Sequence, residues 1–357
     1  MSTEPAPSFP PSQPSQPSQP SPPWSPVSVV MPVLNEERHL REAVVGVLAQ
    51  DYPGELELVM ALGPSHDRTD QIAAELEREH PQVRSVRNPR GTTPAGLNAA
   101  VAAASHPIVV RVDGHALFPS DYVRTAVEVL DETKADNVGG IMAAEGVSVF
   151  EQAVACAMTS PLGVGSARFH TGGEAGPADT VYLGVFRREA LERIGGYDES
   201  FERAQDWEMN LRIRQSGGTV WFTPRLRVSY RPRPDVRRLS RQYFDYGRWR
   251  RVVMRQHPGS ASARYLAPPA ALVVVAAGTA GGIVGLATGS AVLRAGFLAP
   301  AGYLAGILAG SVVSGRGLRP GALVRLPLVF ATMHGSWALG FLTSPKGLGA
   351  APDGSAG

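Results

Sequence analysis

Cysteine occurs once in the 357 residues, as Cys156, which excludes an intrachain disulfide and any metal site built from thiolates. Lysine is nearly missing as well, so the 34 cationic residues are almost all arginine. They are balanced by 32 acids to a net charge of +2, which leaves no global field of the kind that draws nucleic acid. The first residues also do not read as a secretory leader. Residues 1–26 form a Pro/Ser/Gln run with no basic start and no apolar centre, so they read as a disordered tail. Without a leader the middle of the chain is expected to stay in the cytoplasm. The arginine, alanine, glycine and proline bias suggests a bacterial source.

Apolar sequence, by contrast, is concentrated at the far end. Residues 270–289, 291–313 and 322–342 are three mostly apolar segments of bilayer-spanning length, rich in Gly and Ala. Together they predict a three-helix transmembrane region over 266–345, followed by a flexible tail over 346–357. With the middle domain inside, Arg316 and Arg319 also fall inside, as the positive-inside rule requires; Arg294 opposes it weakly. His334 lies within the third segment, where it reads as an interhelical hydrogen bond or a functional group. Residues 237–265 carry many arginines with Tyr243, Phe244, Tyr246 and Trp249, the composition of a basic interfacial helix on an anionic leaflet.

Between the tail and the spans, short β-branched runs alternate with helical spacing. Strands are expected at 27–33, 56–61, 83–87 and 108–112, and helices at 37–49, 70–78, 94–104 and 121–130. The alternation predicts βαβ units, hence an α/β fold with a mostly parallel sheet flanked by helices over 27–236. Ligands of such sheets bind outside the carboxyl ends of the strands. There the sequence places Pro32, Leu34, Asn35 and Glu36 after the first strand, Ser65 and Asp67 after the second, and Arg90 and Asn98 after the third. Asn35 alone reads as a helix cap. After the fourth strand come Asp113, Gly114 and His115, oxygen and imidazole donors suited to Mn²⁺ or Mg²⁺. Asp206, ahead of a helix expected at 208–215, reads as an N-cap or a general base.

These residues resemble family 2 glycosyltransferases in order and spacing over roughly 27–255. The matching segments are Pro32–Glu36, Ser65–Thr69, Gly96–Asn98, Asp113–His115, Gly195–Glu199, Gln205–Glu208 and Arg248–Trp249. The Asp-Gly-His turn and the C-terminal spans are similar, more narrowly, to the succinoglycan-biosynthesis type of membrane-bound transferase. The resemblance implies a GT-A fold and an inverting hexosyltransferase-type reaction from a nucleotide-sugar, UDP-sugar favoured, to a lipid-linked or membrane acceptor. It implies that Asp113 and His115 hold the divalent metal and that Asp206 is the base. The loop residues above would contact the donor. Trp207, Glu208, Arg248 and Trp249 would serve the acceptor or its loop. The implied setting is the cytoplasmic face of a bacterial inner membrane. Two departures stand out: imidazole replaces the second metal carboxylate, and Ala61 and Leu62 occupy the place of adjacent nucleotide-site acids. A processive polysaccharide synthase and a non-catalytic membrane scaffold remain alternatives, although Asp245 stands where processive relatives carry glutamine.

Overall fold

A computed structural model describes residues 24–114 and 118–349; the expectations for His115 and for most of both tails fall outside that range. Elements run in the order β1 (Val27–Val33), α1 (Leu40–Leu48), β2 (Leu56–Leu62), α2 (Thr69–Glu79), β3 (Val83–Arg87), α3 (Thr93–Ala103), β4 (Ile108–Arg111) and α4 (Tyr122–Thr133). They continue through β5 (Asn137–Ala144), α5 (Val149–Met158), α6 (Pro161–Val164), α7 (Arg168–Thr171), β6 (Gly176–Pro177), β7 (Tyr182–Arg187), α8 (Arg188–Arg193), α9 (Gln205–Gln215) and β8 (Val220–Tyr230). The C-terminal helices are α10 (Val236–Gln256), α11 (Ala263–Thr288), α12 (Ala291–Arg294), a 3₁₀ turn (Ala295–Phe297), α13 (Leu298–Ser314) and α14 (Pro320–Leu342).

The eight strands form one sheet in the order β3-β2-β1-β4-β7-β5-β8-β6. β3, β2, β1 and β4 are parallel neighbours, as the βαβ spacing requires. Side chains alternate across these strands, and both faces are covered. Val29, Met31, Leu58, Met60 and Val110 meet α1, α2 and α4, whereas Val30, Val59 and Val109 meet α3. The sheet then turns mixed: β7 runs antiparallel between β4 and β5, and β6 antiparallel to β8. The chain reaches β7 through short helices rather than a full crossover, so it enters the sheet from the opposite end. Trp24 packs edge-on against Tyr52, which ties the residues just before β1 to the domain.

Chain order reverses beside β1, with β2 on one side and β4 on the other, which opens a crevice at their carboxyl ends. α11, the stretch 291–314 and α14 are long and apolar enough to cross a membrane. α11 and α13 expose aliphatic side chains such as Val274, Leu286 and Val312. α14 instead packs along α5 and α10. A Cβ on Gly247 would collide with the Trp337 carbonyl, and one on Gly340 with that of Phe244, so glycine permits this helix crossing. α10 is amphipathic, with its apolar face packed on α14. Leu239, Tyr243, Val252 and Val253 are buried, while Arg237, Arg241 and Arg251 face outward.

Candidate active site at the carboxyl edge of the sheet

The loops after β1 and β2 are stitched together by their own polar groups. The Asn35 amide donates to Ser65 Oγ at 3.0 Å, and the His66 amide donates to Asn35 Oδ1 at 2.9 Å. Asn35 sits at φ +56°, a left-handed conformation that asparagine tolerates well. It therefore does not cap α1, whose N-cap position is His39, three residues after Glu36. The Glu36 amide donates to Thr69 Oγ1 at 2.8 Å, and the Glu36 side chain lies over Gly114. Asp67 accepts from the Thr69 hydroxyl and amide and from the Glu37 amide. Those bonds, the hydroxyl's first, hold its carboxyl below the ordinary range. Pro32 and Leu34 flank this turn, Leu34 being exposed. Ala61 is fully buried under α3, which leaves no room for a nucleotide-facing acid there.

The third loop reaches a different partner. Arg90 pairs with Glu199, and Asn98 donates to the Tyr197 carbonyl at 2.8 Å while accepting from the Tyr197 amide. The turn at 195–199 is thus tied to the start of α3, on the same edge.

Asp113 follows β4, and its side chain is 27% exposed. Arg111, the last residue of β4, is buried and carries one guanidinium between two acids. It donates to Asp206 and, at 3.3 Å, to Asp113. Burial works to lower the Arg111 pKa, but the Asp206 and Asp113 charges overcome it and hold the group fully protonated. Asp206 lies in the first turn of α9, which begins at Gln205 rather than Glu208; its N-cap is Ala204. Asp206 is therefore not the cap, although an acid in a first turn suits the helix dipole. Burial raises the Asp206 pKa, and Asp113 adds to the rise against the lowering by Arg111. A quarter of the Asp206 side chain nonetheless stays open. Arg111 escaped the sequence reading because it sits in an apolar run; a lone arginine in a buried strand was the available signal.

Among the described residues no group of three His, Cys, Asp or Glu gathers into a metal cluster. Asp113 still fits an ion brought in with phosphates. It is accessible at a strand end, and one or two carboxylates plus substrate phosphates are what Mg²⁺-type ions use.

On its other side Asp206 lines a cavity of about 670 Å³ that runs among α6, α10, α11 and α14. Trp207 and Trp249 line it too, whereas Glu208 and Arg248 do not. Glu208 is buried in an ion pair with Arg212 at 2.5 Å, with His257 3.2 Å away, and so anchors α9. Arg248 stacks on Phe244, and its carbonyl accepts from Ser344. The glycine-rich connection at 160–179 forms one wall through Leu162, Phe169 and His170, the last with its pKa pushed down to about 4 by burial. His334 makes the interhelical contacts expected of it, to the Leu162 carbonyl at 2.8 Å and the Tyr303 hydroxyl at 3.2 Å.

The glycosyl transferase family 2 pattern matches residues 28–195. Succinoglycan biosynthesis protein ExoA of Rhizobium meliloti (strain 1021) is 34% identical over 242 residues, 67% of this chain and 73% of that protein. The chain belongs to glycosyl transferase family 2. A second relative of this glycosyltransferase is 24% identical over 237 residues, 64% of this chain and 74% of its own length. It is a dolichyl N-acetyl-alpha-D-glucosaminyl phosphate 3-beta-D-2,3-diacetamido-2,3-dideoxy-beta-D-glucuronosyltransferase of Methanococcus voltae. The fold is that of a mannosyltransferase from Pyrobaculum calidifontis solved with GDP-Man and Mn²⁺. That likeness has a TM-score of 0.56 at 20% identity and covers 92% of this chain and 90% of that one. The enzyme is thus a glycosyltransferase of GT-A architecture with three C-terminal apolar helices.

Proposed function

We propose that this glycosyltransferase transfers a sugar, with inversion, from a nucleotide-sugar to a lipid-linked acceptor during glycan synthesis at the cytoplasmic face of a bacterial inner membrane. The observation that carries the reading is the position of Asp206. It faces a cavity walled by the C-terminal helices, and Arg111 joins it to Asp113 at the donor edge. An acceptor in that cavity presents its hydroxyl to Asp206, which removes the proton as the oxygen attacks the anomeric carbon. The bond from that carbon to the nucleoside diphosphate breaks, and the diphosphate leaves toward Asp113. The raised Asp206 pKa makes the carboxylate a stronger base than a free aspartate. Arg111 fixes its orientation and keeps it ionised. A divalent ion held by Asp113 and His115 supplies, when bound, charge stabilisation at the departing phosphate.

The stapled loops after β1 and β2, with Pro32, Leu34, Asn35, Glu36, Ser65 and Asp67, form the nucleotide side. Arg90 and Asn98 hold the 195–199 turn against it. Succinoglycan assembly by the Rhizobium relative and the dolichyl-linked acceptor in the Methanococcus relative's name support a lipid-borne glycan. A UDP-sugar is the first donor to test, with GDP-sugars next. The test is a thermal-shift screen of nucleotide-sugars with and without Mn²⁺, since a ligand of the native state raises its apparent stability. One UDP-sugar is expected to stabilise the protein only when Mn²⁺ is present. No stabilisation by any donor would favour a non-catalytic scaffold instead.

A further inference from the structure

The cavity beside Asp206 contains a cation that nothing in the described protein neutralises. Arg250, on the buried face of α10, is 9% exposed and makes no hydrogen bond or ion pair among the described residues. Its guanidinium carbon lies 4.2 Å from the Trp207 ring centroid and 4.0 Å from that of Tyr265, two rings that stand edge-on to each other at 86°. The two rings supply cation–π contact and no hydrogen-bond acceptor, so the N–H donors still need partners. Nε and Nη1 have no acceptor, and neither does the neighbouring Trp207 Nε1. Burial lowers the Arg250 pKa to about 10, with a further push from nearby Arg264. Buried charges are ordinarily paired, because an unpaired one forfeits its hydration without return.

The lining of the cavity completes the pattern. Its charged residues are Arg203, Arg250, Arg264 and a single acid, Asp206, already engaged by Arg111. Arg264 lies 3.7 Å from Asp179, an exposed side chain outside the cavity. Beyond Arg250 the wall becomes apolar, through Ala271, Tyr303 and Met333 of the C-terminal helices.

We infer that Arg250, packed against Trp207 and Tyr265, is the phosphate-binding subsite for a lipid phosphate acceptor, whose hydrocarbon chain follows the apolar wall between the helices. The inference rests on the lipid-acceptor reading above and assigns the residue that recognises the anion. A planar fork suits a phosphate's paired oxygens, and hydrogen bonds between charged partners are the strong ones. Anchoring the phosphate there sets the distance of the acceptor's reactive hydroxyl from Asp206.

The test uses the full chain in detergent and three probes: a long-chain polyprenyl phosphate, the same polyprenol without phosphate, and UDP. Wild type is expected to bind the lipid phosphate more tightly than the alcohol. Arg250→Gln should weaken lipid phosphate binding roughly ten- to hundredfold, the scale of one charge-assisted contact, while UDP binding stays within about twofold. Arg250→Lys, which keeps the charge and loses the fork, carries the test if the glutamine variant does not fold; about a tenfold loss is expected. Arg241→Ala, in the arginine-lined neighbouring cavity, should change nothing. Wild-type affinity in both Arg250 variants, or the same loss in Arg241→Ala, would overturn the assignment. Weakened UDP binding would move Arg250 to the donor diphosphate and overturn it as well. Failure of wild type to bind either lipid would instead sink the lipid-acceptor reading itself.

Discussion

The two sides of Asp206 are built on opposite plans. On the side proposed for the donor, Asn35, Ser65, Asp67 and Thr69 spend their hydrogen-bonding capacity on one another and on nearby amides. On the helix-lined side, Arg250, Trp207 and His170 each leave buried nitrogens without partners. The loops after β1 and β2 are a finished scaffold with a shaped edge, though Asn88 Oδ1, Thr92 Oγ1 and Arg111 Nε nearby also lack partners; the second region is a wall whose polar groups await something from outside. A buried polar group that lacks a partner costs free energy, so an incomplete wall that persists is where a ligand is expected. Among the described residues, Arg111 pairs with both acids that face these two regions.

Substitutions at each side should separate them. Asp206→Asn should cut transfer by roughly 10²–10⁴, the usual worth of a general base, while nucleotide-sugar affinity by calorimetry stays near wild type. Substantial transfer by that variant would remove Asp206 from the mechanism and merge the two regions into one binding site. Asp113→Asn should spare the helix-lined cavity and weaken Mn²⁺-dependent donor binding roughly ten- to hundredfold. His115→Ala is expected to flatten the same metal titration to a smaller degree, and an unchanged titration would take His115 out of the site. Asn35→Ala should cost only about 1 kcal/mol of stability by chemical denaturation, because it unstitches a loop and touches no reacting atom. A loss of transfer larger than that stability change would show that the staple is more than scaffold.

The strand-end loops were legible in the chain, as were Asp206, Trp207 and Trp249 in the cavity lining, whereas Arg250 and the cavity as a whole were not. Strands β1 to β4 announce themselves by β-branched runs, and the turns after them carry residues whose types match their geometry. Asp113 needed only its position at a strand end. β5 and β7 escaped because Asn137–Ala144 and Tyr182–Arg187 are interrupted by glycines. Gly184 adopts φ +117°, a conformation outside regular strand geometry. Arg250 was hidden for another reason. Among the arginines of α10 its neighbour Arg248 carried the recognisable pattern, and only helix phase decides which one turns inward toward Trp207. The cavity joins residues about 170 positions apart in the chain, such as Leu162 and His334, and no local pattern encodes that meeting.

The central claim is that one ionised network, Asp113–Arg111–Asp206, links donor edge to acceptor cavity and sets the basicity of Asp206. The most direct test is the pH dependence of kcat/KM in wild type and in Arg111→Gln. Burial places the Asp206 pKa above the ordinary aspartate range, and Arg111 is the charge that restrains the rise. Activity should therefore fall with acidification at a pH above that range in wild type, and the acid limb should move higher still in Arg111→Gln. An acid limb that does not move when Arg111 is neutralised would contradict the account.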